Sequence, residues 1–466
     1  MTGTFSSVSS ALSALRYNQV VMDVASGNIA NVATDGYARR RVIGESVGAP
    51  DKPAMWSRYD GHGDGVRVGS LDRMVDPLLD LRARREHGNQ SFLDTRAASL
   101  ARIETGLGEP AGEGISAAIA EFGASLHDLS NHPDTSSVRT QVLANAQGLA
   151  DAVAVQRRNI EAEEGDQRMA LLADIDETNA LAKDLAATNE AINAARLSGT
   201  DASALLDARD SMALRLADLT GGTAKENGKG GLDVTVGGVD LVTGNKAGRI
   251  DVASGVAPDG TADGGPLVLT ATAPGGSPTA VTGLRGEIGG EVTLLTVTLP
   301  GLRADLQGFA QQLADSVNAA HQAGFDAAGA AGVPLFGVDP AAPGGPLVLL
   351  VSDPQALAAS GIGGGPNRDG GNAKALATSL SGPERAYQQL VTGFGVAVAS
   401  TRQQAATQQN LTTQVDGARE QLSGVNLDEE MVTMMQAQRS YEAAARVMTT
   451  LDSVLDTLIN RTGLVR

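Results

Sequence analysis

Near the end of the chain, apolar residues recur at every seventh place: Leu427, Met434, Tyr441, Met448 and Leu455. Four residues after each come Met431, Gln438, Ala445, Asp452 and Ile459. Alternating steps of four and three lay one stripe along an α-helix, the pattern of a seam between paired helices, here diluted by polar Gln438 and Asp452. Within a helix expected over 426–461, the segment 427–460 would extend roughly 50 Å at about 1.5 Å per residue. The other end of the chain repeats the period over an expected helix at 5–32, in Val8, Leu15, Met22 and Ile29 with Leu12 beside them. One antiparallel pair of such rods would leave much apolar surface wet. Either the ends dock on one another as part of an ordinary core, or neighbouring subunits complete the seams.

The 466 residues exceed one ordinary core and suggest two to four domains. After the turn pair Asp35-Gly36, residues 40–70 read as extended and irregular. Helix is expected from Leu71 to about Ile103, at about 114–130, over 135–197 with an interruption at Gly165, and at 202–219. Runs rich in Gly, Thr and Val then follow over 221–298, where LDVTVGG, VDLVTG, PLVLTATA and EVTLLTVTL read as short strands between turns. Helix resumes at 302–322, a Gly/Ala/Pro-rich loop region fills 324–371, and a helix at 383–422 precedes the last one. The β block is bracketed by helices, which makes it an insert, expected to stand as an outer appendage.

Composition narrows the function classes. Apolar residues make up 42% but aromatics only 3%, which favours long helical packing with small residues between helices. A formal net charge of −18 repels phosphates and anionic lipid, so the expected partners are proteins, with no nucleic acid and no membrane insertion. No run approaches the ~18 uninterrupted apolar residues of a membrane span, and the first residues lack the order of a cleaved signal peptide. Absence of cysteine removes disulfides, zinc–thiolate sites and thiol catalysis together.

Motifs with possible chemistry fare poorly against their surroundings. Gly44-Glu45-Ser46-Val47-Gly48 matches the string of a serine hydrolase elbow, which needs a strand before the serine and a helix directly after it; Ala49-Pro50-Asp51-Lys52-Pro53 blocks that helix. GIGGGPNRDGGN at 361–372 lacks the Lys-Ser/Thr of a phosphate loop and reads as a mobile loop. His62, His87, His127, His132 and His321 have no ligand spacing. The pairs Glu163-Glu164 and Glu429-Glu430 read as solvated helix faces. No catalytic, cofactor or metal set remains.

SGNIANVATDGYARR at 26–40 resembles the N-terminal motif of the flagellar rod, hook and hook-associated axial proteins, in which a long helix ends in Asn-rich sequence and enters a Gly-Tyr turn. Asn28, Asn31, Gly36 and Tyr37 match that motif; Ala33 stands where Asn is frequent and Asp35 where Pro is frequent. SGVNLDEEMVTMMQAQRSYEAAARVMTTLDSVLDTLIN at 423–460 is similar to the closing motif, in the form typical of the hook-associated protein 1 family. The segments 126–153, 205–221 and 302–326 resemble the helical middle of that family, whereas the middle of hook protein is mostly β.

The resemblance implies a mainly α, elongated, multi-domain axial protein with an inserted β domain and with its terminal helices paired in a coiled-coil-like inner layer. That layer would comprise 1–35 with 425–466, a mainly helical middle domain 36–220 with 297–424, and an outer β-rich domain 221–296. It implies a structural subunit rather than an enzyme, with no cofactor, that self-assembles into a ring or tube where hook meets filament. Implied partners are hook protein, the next hook-associated protein and a flagellar export chaperone on the last helix. The implied location is extracellular, reached by the flagellar type III pathway without a cleaved signal peptide. The alternatives are a hook or distal-rod subunit, or a hydrolase acting through Ser46.

Overall fold

The computed structural model describes residues 2–47, 65–109, 114–339, 345–366 and 368–457. Helix α1 (Thr2–Ala30) is followed by the antiparallel hairpin β1 (Arg40–Val47) and β2 (Gly65–Arg73), then by α2 (Pro77–Leu107), α3 (Ile115–Asn131), α4 (Ser136–Ser198) and α5 (Ser203–Thr220). The β block has one antiparallel sheet of β3 (Thr223–Glu226), β4 (Leu232–Val236), β5 (Val239–Thr243) and β6 (Lys246–Ala247). A second holds β7 (Arg249–Ser254), β8 (Val268–Thr272) and β9 (Pro278–Val281). Helix α6 (Gly286–Thr293) runs through a π-turn, Leu294–Thr298, into α7 (Leu299–Gln322). A small hairpin of β10 (Phe336–Val338) and β11 (Leu347–Leu349), then α8 (Gly371–Ser379), α9 (Ser381–Ser423) and α10 (Leu427–Asp456), complete the order.

Helix α4 is the spine. Its 63 residues extend roughly 95 Å at about 1.5 Å per residue. Its first half buries Val142, Leu149 and Val153 against Phe122 and Leu126 of α3, Leu313 of α7 and Tyr387 of α9. The second half buries Leu171 and Leu185 with Leu216 of α5, Ile288 of α6 and Val236, Leu241 and Ile250 of the strands. The β block therefore shares a core with helix on its inner side instead of closing a core of its own. Gly165 does not interrupt α4, because its position lies between these two packed stretches and tertiary packing outweighs a loss of about 1 kcal/mol.

Several expected boundaries move. Leu71 belongs to β2, and the following helix begins only at Pro77, where the Asp76 carboxylate accepts from Leu78 N at 2.8 Å. The run EVTLLTVTL is helical rather than a strand: Ile288, Leu294 and Leu299 are fully buried, and Thr293, Thr296 and Thr298 hydroxyls donate back to helix carbonyls. Pro300 has no N–H to continue the ladder, and the π-turn just before it closes through Leu299 N to Leu294 O. The described parts of 324–371 fold around His321. This fully buried ring meets Val333 O through Nδ1 at 2.5 Å and accepts from Ala358 N at Nε2, 2.9 Å. The glycine string at its end is also tied down, with Gly361 N donating to Asp369 at 2.6 Å.

The junction of the chain ends as the candidate functional site

Helix α1 touches α10 on one side and both strands of the β1–β2 hairpin on others. Among its described side chains Ala11, Ala25 and Asn28 are buried; Val8, Leu15, Met22 and Ile29 are half-buried, and Leu12 is 41% exposed. On α10 the buried residues are Glu430 and Ala437, with Thr433, Met434, Ala444, Ala445, Met448, Leu451 and Leu455 half-buried. Steps of four and three run through 430, 434 and 437 and again through 444, 448, 451 and 455, with a step of seven between the two runs, where Tyr441 is exposed. Of the sevenfold set, Met434, Met448 and Leu455 are half-buried, whereas Leu427 and Tyr441 are exposed. Beside them Glu430 and Ala437 are buried and Ala444 and Leu451 half-buried; of the expected second set Met431, Gln438 and Asp452 are exposed, Ala445 is half-buried, and Ile459 lies outside the described residues. Small Ala11, Ala25 and Ala437 at buried positions favour close approach of the two helices, which a stripe of large side chains would oppose.

The remaining large apolar residues of α10 face water. Leu427 is 44% exposed, Met431 50%, Met435 46% and Tyr441 38%, and Val432, Val447 and Val454 are exposed as well.

A polar knot fastens the two helices where α1 ends and α10 begins. Asn28 is wholly buried, and every side-chain atom that can hydrogen-bond is engaged. Its Nδ2 donates to Arg40 O at 2.9 Å and to Glu430 Oε2 at 3.0 Å. Its Oδ1 accepts from Tyr37 OH at 2.8 Å and from Arg40 N at 3.1 Å. Glu430 in turn accepts from Arg39 Nε at 2.7 Å, and Arg39 NH1 reaches Glu429 at 2.8 Å. The buried carboxylate thus meets a guanidinium and an amide, which offsets its desolvation.

Local sequence builds this geometry. Asn31 Nδ2 bonds back to Gly27 O at 2.8 Å as α1 ends, and Gly36 takes the left-handed conformation, φ 76°, that the turn into Tyr37 requires. Arg39 N donates to Ser423 O at 2.8 Å, so the end of α9 is tied to the segment that leads into β1. Asn426 caps α10 by accepting from Asp428 N and Glu429 N.

A second layer of charge couples the knot to the helical body. Arg40 stacks over Tyr37, 5.1 Å from its ring centre, and pairs with Asp207 of α5 at 3.2 Å. Arg73 of β2 bridges Asp207 and Asp210, at 2.7 and 2.9 Å. Arg419 of α9 reaches Asp80 of α2 at 2.8 Å. His87 sits between Asp218 and Asp416, at 3.3 and 2.9 Å, and the Asp218 hydrogen bond leads in raising its pKa.

Of the residues singled out by sequence, the structure brings Asn28, Tyr37 and the start of α10 into one cluster. Arg39, Arg40, Asp207 and Glu430 were missed. The signal for them lay in the Arg39-Arg40-Arg41 run and in an acidic pair that could have been asked for a partner. Glu430 is not on a solvated face, and neither is Glu163, 6% exposed, which Arg102 grips through two nitrogens at 2.6 and 2.9 Å. Glu164 is also buried, with Arg303 at 3.3 Å. Ser46 lies within β1, opposite Val66 in the hairpin, so the strand-to-helix turn of a nucleophile elbow does not form there. Among the described residues no group of three or more His, Asp or Glu side chains could hold a metal ion.

An elongated helical body whose two chain ends are locked together at a polar knot defines a structural protein built around its termini. Comparisons specify the kind. Residues 100–336 match the family model described as flagellar hook-associated protein FlgK helical domain, and residues 420–461 match flagellar basal body rod FlgEFG protein C-terminal. The chain belongs to the flagellar hook-associated protein FlgK family, structural proteins of the bacterial flagellum. Flagellar hook-associated protein 1 of Bacillus subtilis (strain 168) is 26% identical, the match covering 99% of each chain. Its counterpart from Escherichia coli (strain K12) is 24% identical, over 97% of this chain and 99% of the relative. The fold is that of the flagellar hook junction protein FlgK from Burkholderia pseudomallei. That match has TM-score 0.62 and 18% identity, and covers 73% of this chain and 100% of that one.

Proposed function

We propose that the chain forms the junction between hook and filament, as a ring or tube of subunits whose ends face the axis. The observation that carries this reading is the apolar outer side of α10, where Leu427, Met431, Met435 and Tyr441 stand in water although the helix already has α1 as a partner. Such a face suits neighbours of the same kind, so the second of the two readings of the seams is favoured, with the α1–α10 pair as its unit. Leu12 and the half-buried Val8, Leu15, Met22 and Ile29 extend that surface along α1, while Met434, Met448 and Leu455 hold α10 in place. In this reading 1–35 with 425–466 make the inner layer, 36–220 with 297–424 the middle, and 221–296 the outer layer, backed by α4 and α5.

Hook protein below, the next hook-associated protein above, and an export chaperone on α10 before assembly are the partners proposed, with passage through the flagellar type III channel. Names of the relatives from Bacillus subtilis and Escherichia coli support the placement, and the helical-domain match favours it over a hook or distal-rod subunit. Imaging of the source bacterium lacking this gene tests it. The expected phenotype is a complete hook with no filament, restored by the wild-type gene. A normal filament on the deletion strain, or loss of the hook itself, would overturn the assignment.

A further inference from the structure

Between β2, the first turns of α2, α5 and the start of the β block lies a cleft of about 550 Å³, far from the apolar face of α10 in its chemistry. Five cationic side chains line it, Arg73, Arg84, Arg196, Arg209 and Lys225, against the four acids Asp72, Asp80, Asp210 and Glu226. Most of the acids are already engaged. Asp210 is held by Arg73 at 2.9 Å and Arg209 at 2.7 Å, Asp80 by Arg419 at 2.8 Å, and Glu226 has Arg209 at 3.7 Å.

Arg84 has no such partner. Only 8% of it is exposed, its Nε is buried without a hydrogen bond, and no carboxylate comes within ion-pairing distance among the described residues. An Nε so placed loses its water without gaining an acceptor, and burial, which outweighs the pull of Asp210 and Asp80, pushes the Arg84 pKa down. The mouth of the cleft is apolar, with Leu78 75% and Leu81 46% exposed on the same side of α2 as Arg84. Exposed Arg196 and Lys225 stand at the rim.

The geometry points to an oxyanion-binding site in this cleft, with the guanidinium fork of Arg84 as its floor, Arg196 closing on the ligand from the rim, and a carboxylate on an apolar carrier as the favoured ligand. A planar fork of N–H donors matches a carboxylate or a phosphate in two parallel hydrogen bonds. The two leucines favour the carboxylate, since a free phosphate gains nothing from an apolar mouth.

Isothermal titration of the full chain with glutarate and with inorganic phosphate, each against chloride at matched ionic strength, tests the site. Saturable binding is expected, with glutarate tighter than phosphate. Binding should weaken at least tenfold in Arg84→Met, which keeps the apolar stem, and severalfold in Arg196→Gln, an exposed position whose change leaves folding untouched. Phosphate binding tighter than glutarate, with the same dependence on both arginines, would support the oxyanion site and assign it to free phosphate. Absence of saturable binding to either anion by the wild type, or equal affinity in wild type, Arg84→Met and Arg196→Gln, would overturn it.

Discussion

Glu430 and Glu429 are neighbours in sequence, yet they differ in what their loss should do. Glu430 is 3% exposed and joined to Asn28 and Arg39, whereas Glu429, whose side chain is 61% exposed, makes one contact to Arg39. Replacing Glu430 by Gln keeps the shape but sets an amide against the guanidinium, at a cost of about 1.5–3 kcal/mol for a charged hydrogen bond. Glu429→Gln should cost under about 1 kcal/mol. Amide hydrogen exchange over residues 427–437 should accelerate in the first variant and stay near wild type in the second; equal effects would mean that the knot does not fasten α10. A different carboxyl sets the pH response of the outer half. Burial first, then Asp174 and Glu287, push Glu291 up to about 9, and burial with Glu287 pushes Asp174 up to about 6. The folded chain keeps a proton on Glu291 that the unfolded chain releases near 4.5, so this stability is fully present below about pH 4.5 and is lost as pH rises toward about 9. Each pH unit in that window removes up to about 1.4 kcal/mol for one proton. Glu291→Gln stays neutral throughout and should raise the melting temperature at pH 8 while changing little at pH 4.5. An equal change at both pH values would contradict this.

At the scale of elements, the helices were legible because their apolar spacing and their breakers agree. The sequence reading of the middle helices at 114–130, 135–197 and 202–219 lies within one residue of α3, α4 and α5 at every end. Legibility failed where tertiary packing overrides local preference. Glu291–Thr298 has the β-branched content of a strand, but Ile288, Leu294 and Leu299 are drawn into the two cores, and the chain stays helical with a π-turn where Pro300 enters. The second register of the α10 stripe departs from its reading at Met431, Gln438 and Asp452, which are exposed while Glu430 and Ala437 are buried, since a glutamate and a small alanine give little hydrophobic signal. Glu430 is buried only because Asn28 and Arg39 arrive from some 400 positions away, which no local window can see. The β block likewise looked like a separate appendage, because the leucines of α4 and α5 that it covers look like those of any helix pair. Replacing residues 222–284 by a short Gly/Ser linker would expose Leu171, Ile175, Leu185 and Leu216, each contributing about 1.5–3 kcal/mol by burial. The end of α4 should then lose helical circular dichroism and cooperative melting. Full retention of both would show that the helices hold their shape without the strands.

For the whole molecule, the two cores strung along α4 leave the chain ends as a separate attachment, joined to the body through Arg40, Arg73 and the hydrogen bond from Arg39 N to Ser423 O rather than through a third large apolar core. The terminal pair keeps an apolar face in water, which is the state expected of a subunit waiting for neighbours. The most direct measurement is therefore a comparison of Met431→Asp with Ala437→Asp in the source bacterium and in the purified monomer. Met431 is 50% exposed and Ala437 only 4%. Met431→Asp should leave the monomer's stability within about 0.5 kcal/mol of wild type, as surface changes do. In the cell it should abolish filament attachment, because a side chain worth about 1.5–3 kcal/mol on burial is lost in every subunit and replaced by a charge that must be desolvated. Ala437→Asp should lower monomer stability as well, since it places a carboxylate between α1 and α10. Normal filaments and motility in the Met431→Asp strain would contradict the account, because the exposed face of α10 would then not be an assembly surface.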